Sequence, residues 1–105
     1  MIDWQRISEL RDEIGADDFD EVVDLFLAEV EETLEALPNA ENSQLEPMLH
    51  LLKGSALNLG FQAFANRCLE GEAAARADRP EEIDRDAIRQ LYDASRSAFL
   101  QQITA

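Results

Sequence analysis

His50-Leu51-Leu52-Lys53-Gly54-Ser55-Ala56-Leu57-Asn58-Leu59-Gly60 is the stretch around which the rest of the chain is arranged. It holds the only histidine in the sequence. It also lies in a window, residues 47–69, that contains no Asp or Glu, in a chain otherwise crowded with them. Leu45, Met48, Leu49, Leu52, Ala56 and Leu59 recur at the i, i+3, i+4, i+7 spacing of an amphipathic helix. At about 100° per residue they share one narrow face. His50 projects about 150° from the middle of that face, so the spacing predicts an imidazole pointing into solvent. Gly54 follows one turn later on the same outward strip, and Lys53, three residues after His50, flanks it. Gly60 is suited to end the helix, because glycine adopts positive φ freely.

A glycine inside a helix costs about 1 kcal/mol against alanine. Close helix packing is the ordinary reason for one. Gly54 points away from the apolar face, which favours a different gain: open space beside the imidazole. A lone histidine is ordinarily a surface or satisfied residue, and the spacing His-x-x-Lys-Gly alters that reading. A neutral imidazole nitrogen is a competent nucleophile above about pH 6.5. A cation one turn away can hold phosphoryl oxygens. Together these fit reversible phosphorylation on nitrogen better than metal binding, which needs more ligands than one His and one Cys.

The same residues, His50 to Gly60, resemble the signature of histidine-containing phosphotransfer (HPt) domains, His-x-x-Lys-Gly-Ser-Ser/Ala followed by Leu-Gly. The resemblance extends over nearly the whole chain in length and helix order. It implies that His50 accepts the phosphoryl group, that Lys53 favours the phosphorylated state and that Gly54 leaves room for a receiver domain. Family members often carry a Gln on the next helix that hydrogen-bonds the active imidazole; the matching position here is Glu72. The resemblance further implies that the receiver supplies Mg²⁺ and most of the charge stabilisation. No cofactor is expected on this chain itself.

The whole composition agrees with a helical protein. At 105 residues the chain makes one domain, 1–105, with a single modest core. Hydrophobic residues make up 46%, enough for that core, while four glycines and three prolines leave few breakers. The single Cys excludes an internal disulfide and sits on an apolar helical face, which suits a reducing cytoplasm. No apolar run approaches membrane-spanning length and no basic-plus-apolar leader opens the chain. The opening Met and compact length suggest a free-standing protein. A formal charge of −14 argues against nucleic acid and anionic membranes as partners. Its uneven layout leaves Lys53 and Arg67 as the only charges in the window around His50. That window reads either as a non-acidic docking patch or as chance clustering.

The remaining segments read as helices of a bundle. Residues 2–14 predict a short helix with Asp3 as N-cap, Ile7, Leu10 and Ile14 inside, Trp4 over the bundle end and Gly15 as the stop. Asp17 and Asp18 open the second helix, whose stripe is Phe19, Val22, Val23, Phe26, Leu27, Val30, Leu34 and Leu37, with Pro38 ending it. Residues 39–43 form a loop, with Ser43 as cap of the His50 helix and Pro47 in its first turns. After Gly60, a helix carries Phe61, Phe64, Ala65, Cys68, Glu72 and Ala75 on one face. In a hairpin pivoting near Gly60, Glu72 comes level with His50. There it either fixes the imidazole tautomer or reaches past the helix edge to solvent. Gln62, near the turn, is a second candidate neighbour. The last helix starts at Glu82 or Asp84 and runs to Ile103, with Ile88, Leu91, Tyr92, Ser95, Phe99 and Ile103 on its stripe.

These elements predict an all-α fold, an antiparallel up-down four-helix bundle with a short extra N-terminal helix. The expected function is phosphoryl transfer in a multistep two-component phosphorelay: His50 takes the group from a receiver aspartate and passes it to another receiver. The expected partners are receiver domains and a hybrid sensor histidine kinase, met by a cytoplasmic monomer. The protein is a carrier without kinase activity, since it has no nucleotide-binding loop and too few residues for an ATP-binding domain. Ser55 and Leu57 are candidates for receiver docking, Leu57 as an exposed apolar contact. The alternative is a non-transferring module that docks a receiver or kinase and regulates it. A hydrolase using His50 as general base is disfavoured, because no Ser or Cys stands at a persuasive spacing with an acid.

Overall fold

In the computed structural model the described residues are 2–104, with side chains described as far as residue 102. Ile103, expected on the stripe of the last helix, therefore has its side chain outside the described residues. Five α-helices follow one another: α1 Trp4–Ile14, α2 Ala16–Ala36, α3 Asn42–Leu59, α4 Gln62–Arg76 and α5 Arg85–Thr104. Single 3-10 turns, Leu37–Asn39 and Pro80–Glu82, join α2 to α3 and α4 to α5. The four longer helices build the all-α antiparallel bundle, and α1 packs across α2 and α3.

Each start and stop has a local cause. The α1 N-cap is Asp3, whose Oδ1 accepts from the Arg6 N–H at 3.1 Å. The helix therefore begins at Trp4, and Ile2, expected inside it, is extended and bridges antiparallel to Phe61. Gly15 at φ 96° breaks α1 from α2. The cap of α3 is Glu41 rather than Ser43: the Gln44 Oε1 accepts from the Glu41 N–H at 3.0 Å, one half of a capping box. Gly60, at φ 72°, ends α3 in the left-handed conformation. Asp84 Oδ1 accepts from the Ala87 N–H at 3.0 Å, so α5 starts just after it. The Arg85 guanidinium donates to the carbonyls of Leu37, at 2.8 Å, and Ala40, at 2.9 Å, tying the α2–α3 connection to the head of α5.

The inner stripes meet in one core. Leu45, Leu49, Leu52, Ala56 and Leu59 of α3 share one core with Phe64, Ala65 and Cys68 of α4, the Val23–Leu34 stripe of α2, Leu37 of the turn after it, and Ile88, Tyr92 and Phe99 of α5. Val22 and Phe26, expected on the α2 stripe, lie at its edge and are half-buried. Phe61 packs edge-on to Phe99, with ring centroids 5.5 Å apart, and Phe64 lies 5.4 Å from Tyr92. Trp4 stacks on Phe99 at 6.3 Å, which places α1 over the bundle end as its sequence suggests. The Tyr92 hydroxyl donates to Glu31 Oε2 at 2.7 Å and closes α5 onto α2. No helix among the described residues is long and apolar enough to cross a membrane.

The α3–α4 pair is the most extensively packed of all. Gly71 makes that approach possible, since a Cβ there would lie 3.0 Å from Leu49 Cδ1. Both helices are thereby held in one register, and that register builds the site.

Candidate functional site

His50 stands on the outer wall of α3 with 70% of its side chain exposed. Its Nδ1 lies 2.7 Å from Glu72 Oε2 on α4. The second carboxylate oxygen, Oε1, accepts from the Lys53 ammonium at 2.7 Å. Arg76, one turn beyond Glu72, puts Nη2 3.6 Å from Oε2, and its Nε donates to Glu46 Oε1 at 3.1 Å. His50 and Glu72 each stand eleven residues from Phe61, and Glu46 and Arg76 fifteen, so one antiparallel register makes both pairs.

Glu72 is the buried member of this cluster, its side chain only 3% exposed. A buried carboxylate is stable only when it is paired and hydrogen-bonded. The Lys53 hydrogen bond is the main reason its carboxyl sits below the usual carboxylate range; the His50 hydrogen bond adds to this, and burial opposes both. An ionised carboxylate accepts and cannot donate. The hydrogen bond therefore assigns a ring proton to Nδ1, which in the neutral imidazole leaves the lone pair on Nε2, at the far edge of the ring. Of the two readings of Glu72 left open by the sequence, the structure has the one that contacts the imidazole.

Gly54 is exposed, and a Cβ built there meets nothing within 4 Å. Close packing of helices is thus not its purpose. Leu57, on the same strip, is 52% exposed. Leu69, one turn before Glu72 on α4, is 50% exposed and was passed over in the sequence reading. Two expected residues do not fit their roles. Ser55 is buried, because it stands three residues after Leu52 and four before Leu59 and shares their inner face; it does not line a docking surface. Gln62 is the exposed first residue of α4. It lies about ten helical residues from the level of His50, roughly 15 Å along the axis, too far to orient the ring.

Arg76 and Glu46 are the members that sequence reasoning missed. The i, i+4 spacing of Glu72 and Arg76 was the available signal. Cys68 lies in the core beneath the site; burial, and secondarily the Glu72 charge, push its thiol up to about 12, so it stays protonated and unreactive. Among the described residues no group of three or more His, Cys, Asp or Glu is placed to hold a metal ion.

Comparison with known proteins points the same way. A family model described as Hpt domain matches residues 21–98. The phosphorelay protein LuxU of Vibrio harveyi is 29% identical over 105 residues, covering 94% of this chain and 92% of the relative. The phosphorelay protein LuxU of Vibrio vulnificus strain YJ016 is 31% identical over 80 residues, covering 72% of this chain and 70% of the relative. No solved structure matches.

Proposed function

The chain belongs to the Hpt domain family and serves histidine phosphotransfer in a phosphorelay; from that premise we propose that His50 Nε2 is the atom that carries the phosphoryl group. The observation that carries this is the Glu72 carboxylate on Nδ1, which leaves Nε2 as the ring's nucleophile on an exposed wall. In the accepting step the Nε2 lone pair attacks the phosphorus of a receiver's aspartyl phosphate. A P–N bond forms, the P–O bond breaks, and the aspartate leaves with the electron pair. The onward step is the reverse reaction on a second receiver.

The other residues serve that exchange. Lys53 rests on Glu72 and reaches phosphoryl oxygens by rotating its flexible stem, one turn from His50. Gly54 opens the approach, and Leu57 with Leu69 offers apolar contact to the docking domain. The Mg²⁺ that neutralises charge on the transferred group belongs to the receiver, not to this chain. The partners are receiver domains and a hybrid sensor kinase, met in the cytoplasm by a monomeric carrier that is not itself a kinase. The charge of −14 and the one reduced, buried cysteine support that placement. A docking-only module is not favoured, because it gives the ordered, exposed imidazole no task.

The test is transfer of label from a phosphorylated receiver to this chain. One acid-labile phosphoryl group per molecule, mapped to His50, is expected; receiver binding without label would establish the docking-only module instead. Lys53→Ala should keep its helicity and accept label about tenfold more slowly, the worth of one charge-assisted hydrogen bond. Unchanged kinetics would remove Lys53 from the scheme. Gly54→Leu should retain or gain helix content and bind the receiver at least about tenfold more weakly, because a bulky group there costs 1–3 kcal/mol in a packed contact. Normal receiver affinity in titration calorimetry would show that the open strip is not the approach route.

A further inference from the structure

Glu72, held ionised by its Lys53 hydrogen bond, accepts and does not donate, and this matters most once the ring is loaded. Before transfer, the neutral imidazole gives its Nδ1 proton to the carboxylate hydrogen bond at 2.7 Å. After Nε2 has bonded to phosphorus, Nδ1 has two states. It keeps the proton, and the ring is a cation facing the carboxylate. Alternatively it loses the proton to water and turns a lone pair towards another acceptor at hydrogen-bond distance. The second state is disfavoured by direct repulsion in a partly buried setting.

We infer that Glu72 is a positioning residue that retains the Nδ1 proton of His50 through the whole transfer cycle and so keeps the loaded ring a good leaving group. This rests on the phosphotransfer reading above and deepens it. In the onward step the P–N bond breaks, its electron pair returns to Nε2, and a P–O bond forms to the receiving carboxylate. The ring departs as neutral imidazole with its proton still on Nδ1. No proton is gained or lost at any stage. Without that proton the departing group would be an imidazolate anion, a far poorer leaving group.

The surroundings are suited to this task. Lys53, through Oε1 at 2.7 Å, and Arg76, with Nη2 at 3.6 Å from Oε2, keep Glu72 ionised and temper its pull on the proton. Glu46 of α3 holds the Arg76 Nε at 3.1 Å and offsets part of that cation. The Cys68 thiol is protonated and adds no charge. Among the described residues no charged group of α1, α2 or α5 stands within ion-pair distance of Glu72. A neutral amide in place of the carboxylate would have no such preference, since it can accept from Nδ1–H or donate to the bare nitrogen.

The test is the pH dependence of the loaded protein. Full-length parent and Glu72→Gln are labelled from a phosphorylated receiver, freed of it, and followed for loss of label from mildly acidic to alkaline pH. Both rates should fall as pH rises. The midpoint should lie about one pH unit higher in the parent, the equivalent of a tenfold preference for the protonated ring. Between the two midpoints the parent should lose label up to about tenfold faster. The ¹⁵N spectrum of the loaded parent should show a proton on Nδ1 at a pH where Glu72→Gln has none. Lys53→Gln, which removes the ammonium and keeps the carboxylate, should hold its midpoint at or above the parent's. Coincident midpoints in parent and Glu72→Gln, a bare Nδ1 in the loaded parent at neutral pH, or a Lys53→Gln midpoint as low as that of Glu72→Gln would each overturn the inference. A parent that takes no label at all would instead overturn the phosphotransfer reading on which it stands.

Discussion

His50→Gln is expected to fold as the parent does and to take no label from a phosphorylated receiver. The loss should be complete, because no other side chain stands ready to replace the imidazole. Cys68, the one thiol, is sealed in the core and held protonated. The fold should hardly notice. His50 is exposed and contributes nothing to the hydrophobic cluster. Among the described residues its polar contact is to Glu72, which keeps Lys53 and Arg76 as partners. Surface substitutions of this kind change stability by about 0.5 kcal/mol or less. Thermal unfolding beside phosphoryl acceptance separates the two effects. Label retained by His50→Gln would mean that the acceptor is another residue.

Gly60→Ala should act in the opposite way, on the fold before the chemistry. At φ 72° any side chain is strained, by about 1–2 kcal/mol. The backbone is also closely crowded: a Cβ at Gly60 would lie 2.6 Å from the Asp3 carbonyl oxygen. That oxygen is part of the α1 entry, where the Asp3 N–H donates to the Gly60 carbonyl at 2.6 Å and Ile2 bridges to Phe61. Relieving the clash means loosening this clip. A total of about 2–4 kcal/mol is expected, a fall in Tm of about 10–20 °C for a domain of this size. Because the α3–α4 register pivots here, phosphoryl acceptance should fall with the folded fraction. An unchanged Tm would show that the turn relaxes without cost. The same two helices carry both results: α3 displays the nucleophile, and the turn at Gly60 sets what stands behind it.

The four long helices were readable because their cause is local. Apolar residues at helical spacing, Asp3 before α1, and Gly15 and Gly60 at helix ends each act within a few residues of themselves. One boundary moved because a distant partner intervened: Ile2 left α1 to pair with Phe61. Another moved for a local reason, since Gln44 reaches back to the Glu41 N–H and the cap falls on Glu41 instead of Ser43. The site was legible to the same degree. The angles of His50, Lys53 and Gly54 on α3 follow from helix period alone, as does the outward position of Leu57. Ser55 departs from its expected docking role because it stands about 100° from Gly54 around the helix, which turns it to the inner face.

Periodicity along the chain therefore determined that this protein is a helical bundle with an imidazole on its outer wall and a bare glycine one turn away. Those are properties of single helices, fixed by a repeat of about 3.6 residues. Only the packed structure decided what lies behind the imidazole. Whether Glu72 reached His50 or water depended on how closely α4 approaches α3 and in which register. The contact of Gly71 with Leu49 and the turn at Gly60 settle that, and Gly71 lies on a different helix from His50. The Glu72 contacts to Lys53, His50 and Arg76 exist because burial makes an unpaired carboxylate untenable, and burial is a property of the assembled bundle.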